Sequence, residues 1–302
     1  MTAFVHEVWW VARYEVGEGL RTRLFQLALL GYLGGIGVAN WILVKILSQM
    51  EAGLATTMGL PPTERPGAMM NTLLADGRLN ELIAPIVGGT DAATTLLTTP
   101  VAALWGGAAA MALLPVLLVF GASGSVAGEV QSRSIRYLAC RTGRLQIGLG
   151  KLAGQLLLTL LAAALGVVLS VALTLTLMVG NDPVTLFTTL SIRTGWALAY
   201  AVPFAALALA ASQVVANPNG ARFLAAAVLF GMPILANQLD RLAGVDLVGR
   251  LCDMAGLFLA TSNWVDLWSP DPATAGTAAL RGLVLGILYF SVGFWRFNGR
   301  DL

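Results

Sequence analysis

Charged residues are scarce in this chain, since Asp, Glu, Lys and Arg make up 11% of its 302 residues and hydrophobic residues make up 57%. Soluble domains carry about 25% charged residues, so the composition indicates an integral membrane protein. The only histidine, His6, excludes HExxH zinc sites and triads built on histidine. The two cysteines, Cys140 and Cys252, form no CxxC pair and are interpreted as packing residues. We therefore predict neither a metal site nor an enzyme.

A nucleotide-binding loop is also missing. The segment GRLQIGLGK, residues 143–151, comes nearest to the GxxxxGK[ST] pattern, but Leu145 stands at the first glycine and Leu152 at the Ser or Thr position. We therefore do not expect this chain to hydrolyse ATP. Its net charge is only +2 and no basic stripe with interleaved aromatics occurs, so no nucleic-acid partner is expected.

Long apolar segments dominate what is present. A hydrocarbon core about 30 Å thick needs roughly 20 residues of helix, and backbone groups in lipid must be hydrogen-bonded within the segment. We therefore predict an all-α integral membrane protein that forms one transmembrane domain over residues 1–302. The six predicted spans are 24–47, 100–122, 152–180, 194–216, 222–239 and 279–297.

Lys and Arg are distributed unequally between the two sides of these spans. Eleven lie on the side of both termini and seven on the other side, while eleven of the 16 acids lie opposite the termini. Because positive residues concentrate in the cytoplasm, we predict cytoplasmic termini in a plasma or inner membrane. The long segments 48–99 and 240–278 are then external and 123–151 is a cytoplasmic loop.

Amphipathic helices are predicted outside the spans. Residues 1–23 carry one apolar helical face, which predicts an elbow helix that lies in the cytoplasmic membrane plane. The residues of this face are Phe4, Val5, Val8, Trp9, Ala12 and Val16. Apolar residues also recur near helical spacing in both external segments, which predicts external amphipathic helices.

None of the predicted spans carries a charge near its centre. Ion-coupled carriers usually bury a titratable or charged relay at that depth, so this chain is expected to receive its energy from a partner. A carrier or channel that works alone is the disfavoured alternative.

The loop after the second span is unusually basic. Residues 128–151 hold five basic residues and one acid between two uncharged tracts. Residues 126–140 fit one helix that extends the span, with Glu129 and Arg133 at the favourable i,i+4 spacing. Two interpretations are open: an anchor that contacts anionic lipid, or a helix that binds a protein partner.

Several short motifs occur here in a familiar order. Glu129, the basic helix after it, the turn Arg141-Thr-Gly-Arg144 and Gly150-Lys151 at the head of a long apolar helix resemble the ABC-2 type transporter permeases. Two departures are Gln131 in place of the family's second acid and Arg133-Ser134 in place of its Gly-Thr pair.

The end of the chain adds to this resemblance. The sequence Phe297-Asn-Gly-Arg-Asp-Leu302 resembles the family's Phe-x-x-Arg-Asp ending, and Trp268-Ser-Pro-Asp-Pro272 before the last span also fits. The resemblance covers the whole chain as a topology of an elbow helix, six spans and an external helical segment before the last span.

The resemblance implies the membrane subunit of an ATP-driven exporter. Two permease chains, this one with a second copy or a homologue, would pair with a dimer of cytoplasmic ATPase subunits that bind ATP and magnesium. This chain would then bind no cofactor itself. The loop at 123–151 would form the coupling helix that contacts the ATPase, braced by the elbow helix. The expected contact residues are Glu129, Arg133, Arg136, Tyr137, Arg141 and Arg144.

A substrate pathway is expected between the two permease chains. Its candidate apolar lining is Met111, Pro115, Phe230, Met232 and Pro233, although each of these also suits core packing. Another alternative is a mechanical or assembly subunit that relays ATPase motion to an external or periplasmic partner. Membrane lipids are expected to surround the chain in each of these interpretations.

Overall fold

The structure, a computed structural model, describes residues 2–58, 65–67, 99–242, 247–269 and 271–299. Within these ranges all regular secondary structure is helical, and six helices are long and apolar enough to cross a membrane. The prediction of an all-α fold with six potential spans is therefore confirmed.

Ten α-helices are described, numbered here in chain order. Their bounds are Thr2–Arg21 (α1), Arg23–Met58 (α2), Val101–Ala122 (α3), Ser125–Gln131 (α4), Ile135–Ala139 (α5), Arg144–Leu177 (α6), Pro183–Val214 (α7), Pro218–Leu242 (α8), Leu247–Leu257 (α9) and Pro272–Asn298 (α10). Two 3₁₀ turns, Ala260–Asn263 and Asp266–Trp268, lie between α9 and α10. Most of the first predicted external segment, 48–99, lies outside the described residues.

Several helices are longer than the spans predicted from hydropathy. Helix α2 runs to Met58, and α6 begins at Arg144 instead of residue 152. Residues 144–151 contain no proline, so the helix can begin at Arg144, whereas hydropathy marks only the part that suits lipid. Residues 144–151, assigned from the sequence to the loop, are therefore the first two turns of α6.

The single helix predicted over 126–140 is wrong. Helices α4 and α5 are separate and short, and residues 132–134 form a turn between them. Arg133 has a φ of 60°, in the left-handed region that helix interiors exclude. The expected ion pair between Glu129 and Arg133 does not form, because the helix ends before Arg133 and Glu129 binds another residue.

The described residues belong to two compact units. One comprises residues 31–111 and 163–197. Its buried polar centre is Asn40, whose amide nitrogen donates to Ser170 Oγ at 3.1 Å, and Thr174 Oγ1 donates to the Asn40 side-chain oxygen at 3.4 Å. The apolar core around this centre contains Leu43, Leu47, Ala102, Ala103, Val167, Met178, Leu186 and Leu190.

The other unit comprises residues 1–30, 112–162 and 198–302. Its apolar core joins α4 and α5 to α7 and α10 through Val126, Ile135, Ala206, Leu209, Phe290 and Phe297. Helix α10 begins at a proline behind the N-cap Asp271, whose carboxylate accepts from the backbone amides of Ala273 and Thr274. The candidate site lies entirely within this unit.

Candidate partner-coupling site

A buried lysine organises one end of this unit. The side chain of Lys151, in the second turn of α6, is 2% exposed, and its Nζ lies 2.7 Å from Oε2 of Glu15 and 2.8 Å from Oε1 of Glu129. Burying an unpaired ammonium costs several kcal/mol, so these carboxylates are required for its charged form. One ammonium thus links three elements: α1, α4 and α6.

The two carboxylates are held unequally. Both oxygens of Glu15 are satisfied, because Oε1 accepts from Gln155 Nε2 at 2.8 Å and Oε2 accepts from Lys151. Glu129 is bound only through Oε1, and its buried Oε2 has no hydrogen-bond partner among the described residues. We refer to Glu15, Glu129, Lys151 and Gln155 as the Lys151 cluster. Its link to α1 is stronger than its link to α4.

Two glycines on α6 allow α1 to approach closely. A Cβ atom added to Gly150 would lie 2.5 Å from the Cβ of Val11, and one added to Gly154 would lie 2.7 Å from the Cβ of Glu15. Both distances are shorter than any normal carbon contact. Small residues four apart permit such backbone approach between membrane helices. The Gly150-xxx-Gly154 pair therefore places Glu15 within reach of Lys151.

The segment formed by α4 and α5 is also fixed to α7. Ser212 Oγ accepts hydrogen bonds from the backbone amides of Val126 at 3.0 Å and Ala127 at 2.9 Å. These are amides of the first turn of α4, which have no partner within the helix itself. Because Ile135 of α5 is also buried in the core, this segment is attached at both of its helices.

The opposite face of the segment is basic and exposed. Arg133, Arg136 and Arg141 are exposed, and the side chain of Tyr137 is 81% exposed between them. An aromatic ring flanked by guanidinium groups suits a protein surface that carries carboxylates. Four of the six residues predicted to contact a partner are therefore exposed.

The other two predicted contact residues bind other residues of the same unit. Glu129 is 12% exposed and binds Lys151. Arg144 donates to the backbone carbonyl oxygens of Phe297, at 3.5 Å, and Asn298. These carbonyls belong to the last turn of α10, where a cation is favoured. Both residues therefore position the segment from within the unit.

The predicted pathway residues have no common exposure. Met111 and Pro115 are buried in α3, and Met232 is buried in α8. Phe230 and Pro233 of α8 are exposed. The five predicted pathway residues therefore do not form one exposed surface, and neither do the three of them that lie on α8.

A cavity of about 370 Å³ adjoins the Lys151 cluster, and Tyr14, Glu18 and Arg222 contribute to its wall. The carboxylate of Glu18, with partial burial and the carboxylate of Glu129, raises the pKa of Tyr14. One oxygen from each of Glu15, Glu18 and Glu129 lies within 4.8 Å of the others, a grouping that suits a cation. The ammonium of Lys151 already neutralises two of these carboxylates.

The Lys151 cluster was missed from the sequence. Hydropathy assigned Lys151 to a loop, and the predicted apolar face of α1 includes Phe4 and Trp9, which are exposed, as well as Ala12, which is buried. The buried face also contains Val11 and Glu15, which the prediction did not include. The available signal was a glutamate in helical register with two apolar residues, together with the pairing of Gly150 and Gly154 around a lysine.

Comparison with known proteins adds no assignment. No protein-family model matches the chain, and no curated protein matches it.

Proposed function

We propose that this chain is the permease subunit of an ATP-driven ABC-2 type exporter, and that a separate cytoplasmic ATPase supplies the energy. The observation that carries the proposal is the basic face of α5 and its flanking turns, with Arg136 and Tyr137 at its centre, on a segment fixed from behind. A rigid, charged projection suits the transfer of motion from another protein and the selection of that partner. A flexible basic loop would suffice for lipid.

The backbone at Arg133 supports the family resemblance. The resemblance aligns the glycine of the family's Gly-Thr pair with Arg133, and this residue has the positive φ that glycine adopts without strain. The local fold thus has the turn that such a glycine would serve, even though the residue here is arginine.

The N-terminal helix fits the role of an elbow. Trp9, Trp10 and Tyr14 of α1 are exposed, while Val11 and Ala12 pack against the rest of the unit. Exposed aromatic rings beside a buried face suit a helix at the membrane interface. In this proposal α1 lies in the cytoplasmic membrane plane and both termini are cytoplasmic, and the chain works with a second copy or a homologous permease.

Co-expression tests the proposal. The chain is co-expressed with candidate ABC ATPases, sought first in neighbouring reading frames, and purified in nanodiscs. ATPase retained per permease is then measured together with ATP hydrolysis. Stable retention of an active ATPase is the expected result. Reversing the charge of Arg136 and Arg141 to glutamate should abolish retention while the permease itself stays folded. Full retention by that variant would contradict the proposed contact.

A further inference from the structure

We infer that Lys151 is a positioning residue that joins the elbow helix, α1, to the coupling segment formed by α4 and α5. Helix α1, the coupling segment and the start of α6 then move as one body when the ATPase acts. This inference rests on the proposed function, but its mechanical part concerns this chain alone. Lys151, Glu15 and Glu129 would connect α1 to α4 mechanically, a role that is separate from binding a partner.

The inference starts from the position of the charge. Lys151 Nζ contacts both Glu15 of α1 and Glu129 of α4. A force applied to the exposed face of α5 reaches α4 through the turn at 132–134 and then reaches Lys151 through Glu129. Packed side chains and salt bridges between discrete elements can carry such coupling, and here Glu129, Lys151 and Glu15 connect α4 to α1.

The Lys151 cluster holds α1 and α4 with unequal numbers of contacts. Helix α1 is fixed on α6 by the close approach at Gly150 and Gly154 and by the two donors on Glu15. Helix α4 meets Lys151 through one oxygen of Glu129. The Lys151 cluster therefore holds α1 more firmly than α4, and common motion of α1 and α4 depends on the single contact between Lys151 and Glu129.

Removing Lys151 alone would leave two buried carboxylates without a cation, and a misfolded variant would test nothing. The informative variant is the neutral triple substitution Glu15→Gln, Glu129→Met and Lys151→Met, which removes all three charges together and keeps an acceptor for Gln155 at residue 15. Replacing a buried ion pair by hydrophobic residues of similar volume is often tolerated. A matched control is Asn40→Leu, which removes another buried polar centre, in the other unit.

The experiment measures the distance between α1 and α5. Exposed Cys140 provides one spin label, Arg13→Cys on α1 provides the other, and Cys252→Ser removes the second native thiol. In the permease alone, the neutral triple variant should show a broader distance distribution than the parent and the Asn40→Leu control. In the complex with the ATPase, the parent distance should not change on vanadate trapping, whereas the triple variant's mean distance should shift.

The outcomes separate the two proposals. If the distance distributions of the parent and the triple variant are equally wide, Lys151 does not join α1 to the coupling segment, and its role is packing only. A parent distance that itself changes on trapping would also overturn the inference, because α1 and α5 would then not move together. If no ATPase is retained, the proposed function fails independently, and the widths measured on the permease alone still decide whether Lys151 joins the helices.

Discussion

A Cβ atom added to Gly154 of α6 would lie 2.7 Å from the Cβ of Glu15 of α1. The absence of a side chain at one residue thus determines where the carboxylate of the other is placed. Four residues earlier, Gly150 has the same relationship to Val11. The ion pair between Glu15 and Lys151 depends on this approach, because a wider separation of the helices would move the carboxylate away from the ammonium. Packing and electrostatics therefore stabilise the same interface.

The first prediction concerns this close approach. Gly150→Ala should destabilise the purified chain by about 1–3 kcal/mol, the usual cost of overpacking, because the new methyl group would meet the Val11 side chain and the backbone carbonyl of Val8. The matched control is Gly195→Ala in α7, where nothing lies within 4 Å of the new Cβ. That control should gain up to about 1 kcal/mol from helix propensity. Thermal unfolding in detergent measures both, and equal melting temperatures would contradict the packing described.

The second prediction orders three substitutions in the Lys151 cluster. Lys151→Met should cost about 3–5 kcal/mol, because two buried carboxylates lose their cation. Glu129→Gln should cost only about 1–2 kcal/mol, since its amide oxygen still accepts from Lys151 and Glu15 remains. The neutral triple variant should recover most of the loss. Melting temperatures of the three proteins test the order, and a Lys151→Met protein as stable as the wild type would refute the ionic arrangement.

The sequence predicts the architecture better than the cluster, for a physical reason. Apolar length determines which segments can cross a membrane, so the six helices follow from local composition. The partners of Lys151 depend on how helices pack, since Glu15 and Glu129 are 136 and 22 residues away along the chain. Local patterning instead favoured a pair between Glu129 and Arg133. That pair fails because the backbone turns at Arg133, a change that i,i+4 spacing does not reveal.

The third prediction concerns the turn between α4 and α5. Arg133 has a φ of 60°, a conformation that costs a non-glycine residue about 1–3 kcal/mol. Arg133→Gly should therefore preserve or raise the melting temperature, while the β-branched Arg133→Val should lower it. Arg133→Asn, which tolerates this region and is also uncharged, separates the backbone effect from loss of charge. A stable valine variant would mean that the turn is not fixed.

The fourth prediction concerns the start of α10. Hydrogen bonds from the Thr274 side chain and from the amides of Ala273 and Thr274 lower the pKa of Asp271. A carboxylate with a lowered pKa stabilises the fold above the pKa of the unfolded chain, about 3.9, and this stability is lost as the pH falls through the folded pKa. Asp271→Asn, which keeps a capping group that cannot titrate, should remove this part of the acid sensitivity. Stability measured between pH 6 and pH 3 tests the difference, and identical profiles would contradict it.

The last prediction decides between a partner and lipid for the basic face. A lipid surface attracts each arginine as a point charge worth about 1 kcal/mol, so it would distinguish poorly between Arg136 and a lysine at the same position and would need Tyr137 little. A protein surface would use the planar guanidinium and the exposed ring, because binding hot spots in interfaces are enriched in aromatic and arginine side chains.

Tyr137→Ala should therefore reduce ATPase retained per permease about tenfold or more. Loss of an interface hot spot costs at least about 2 kcal/mol, and 1.4 kcal/mol corresponds to a tenfold change. Arg136→Lys should reduce it by less. Phe230→Ala removes another exposed aromatic ring, in α8, and should leave retention unchanged. Wild-type retention in Tyr137→Ala and Arg136→Lys, combined with weaker binding to anionic vesicles when both Arg136 and Arg141 are neutralised, would assign the basic face to lipid.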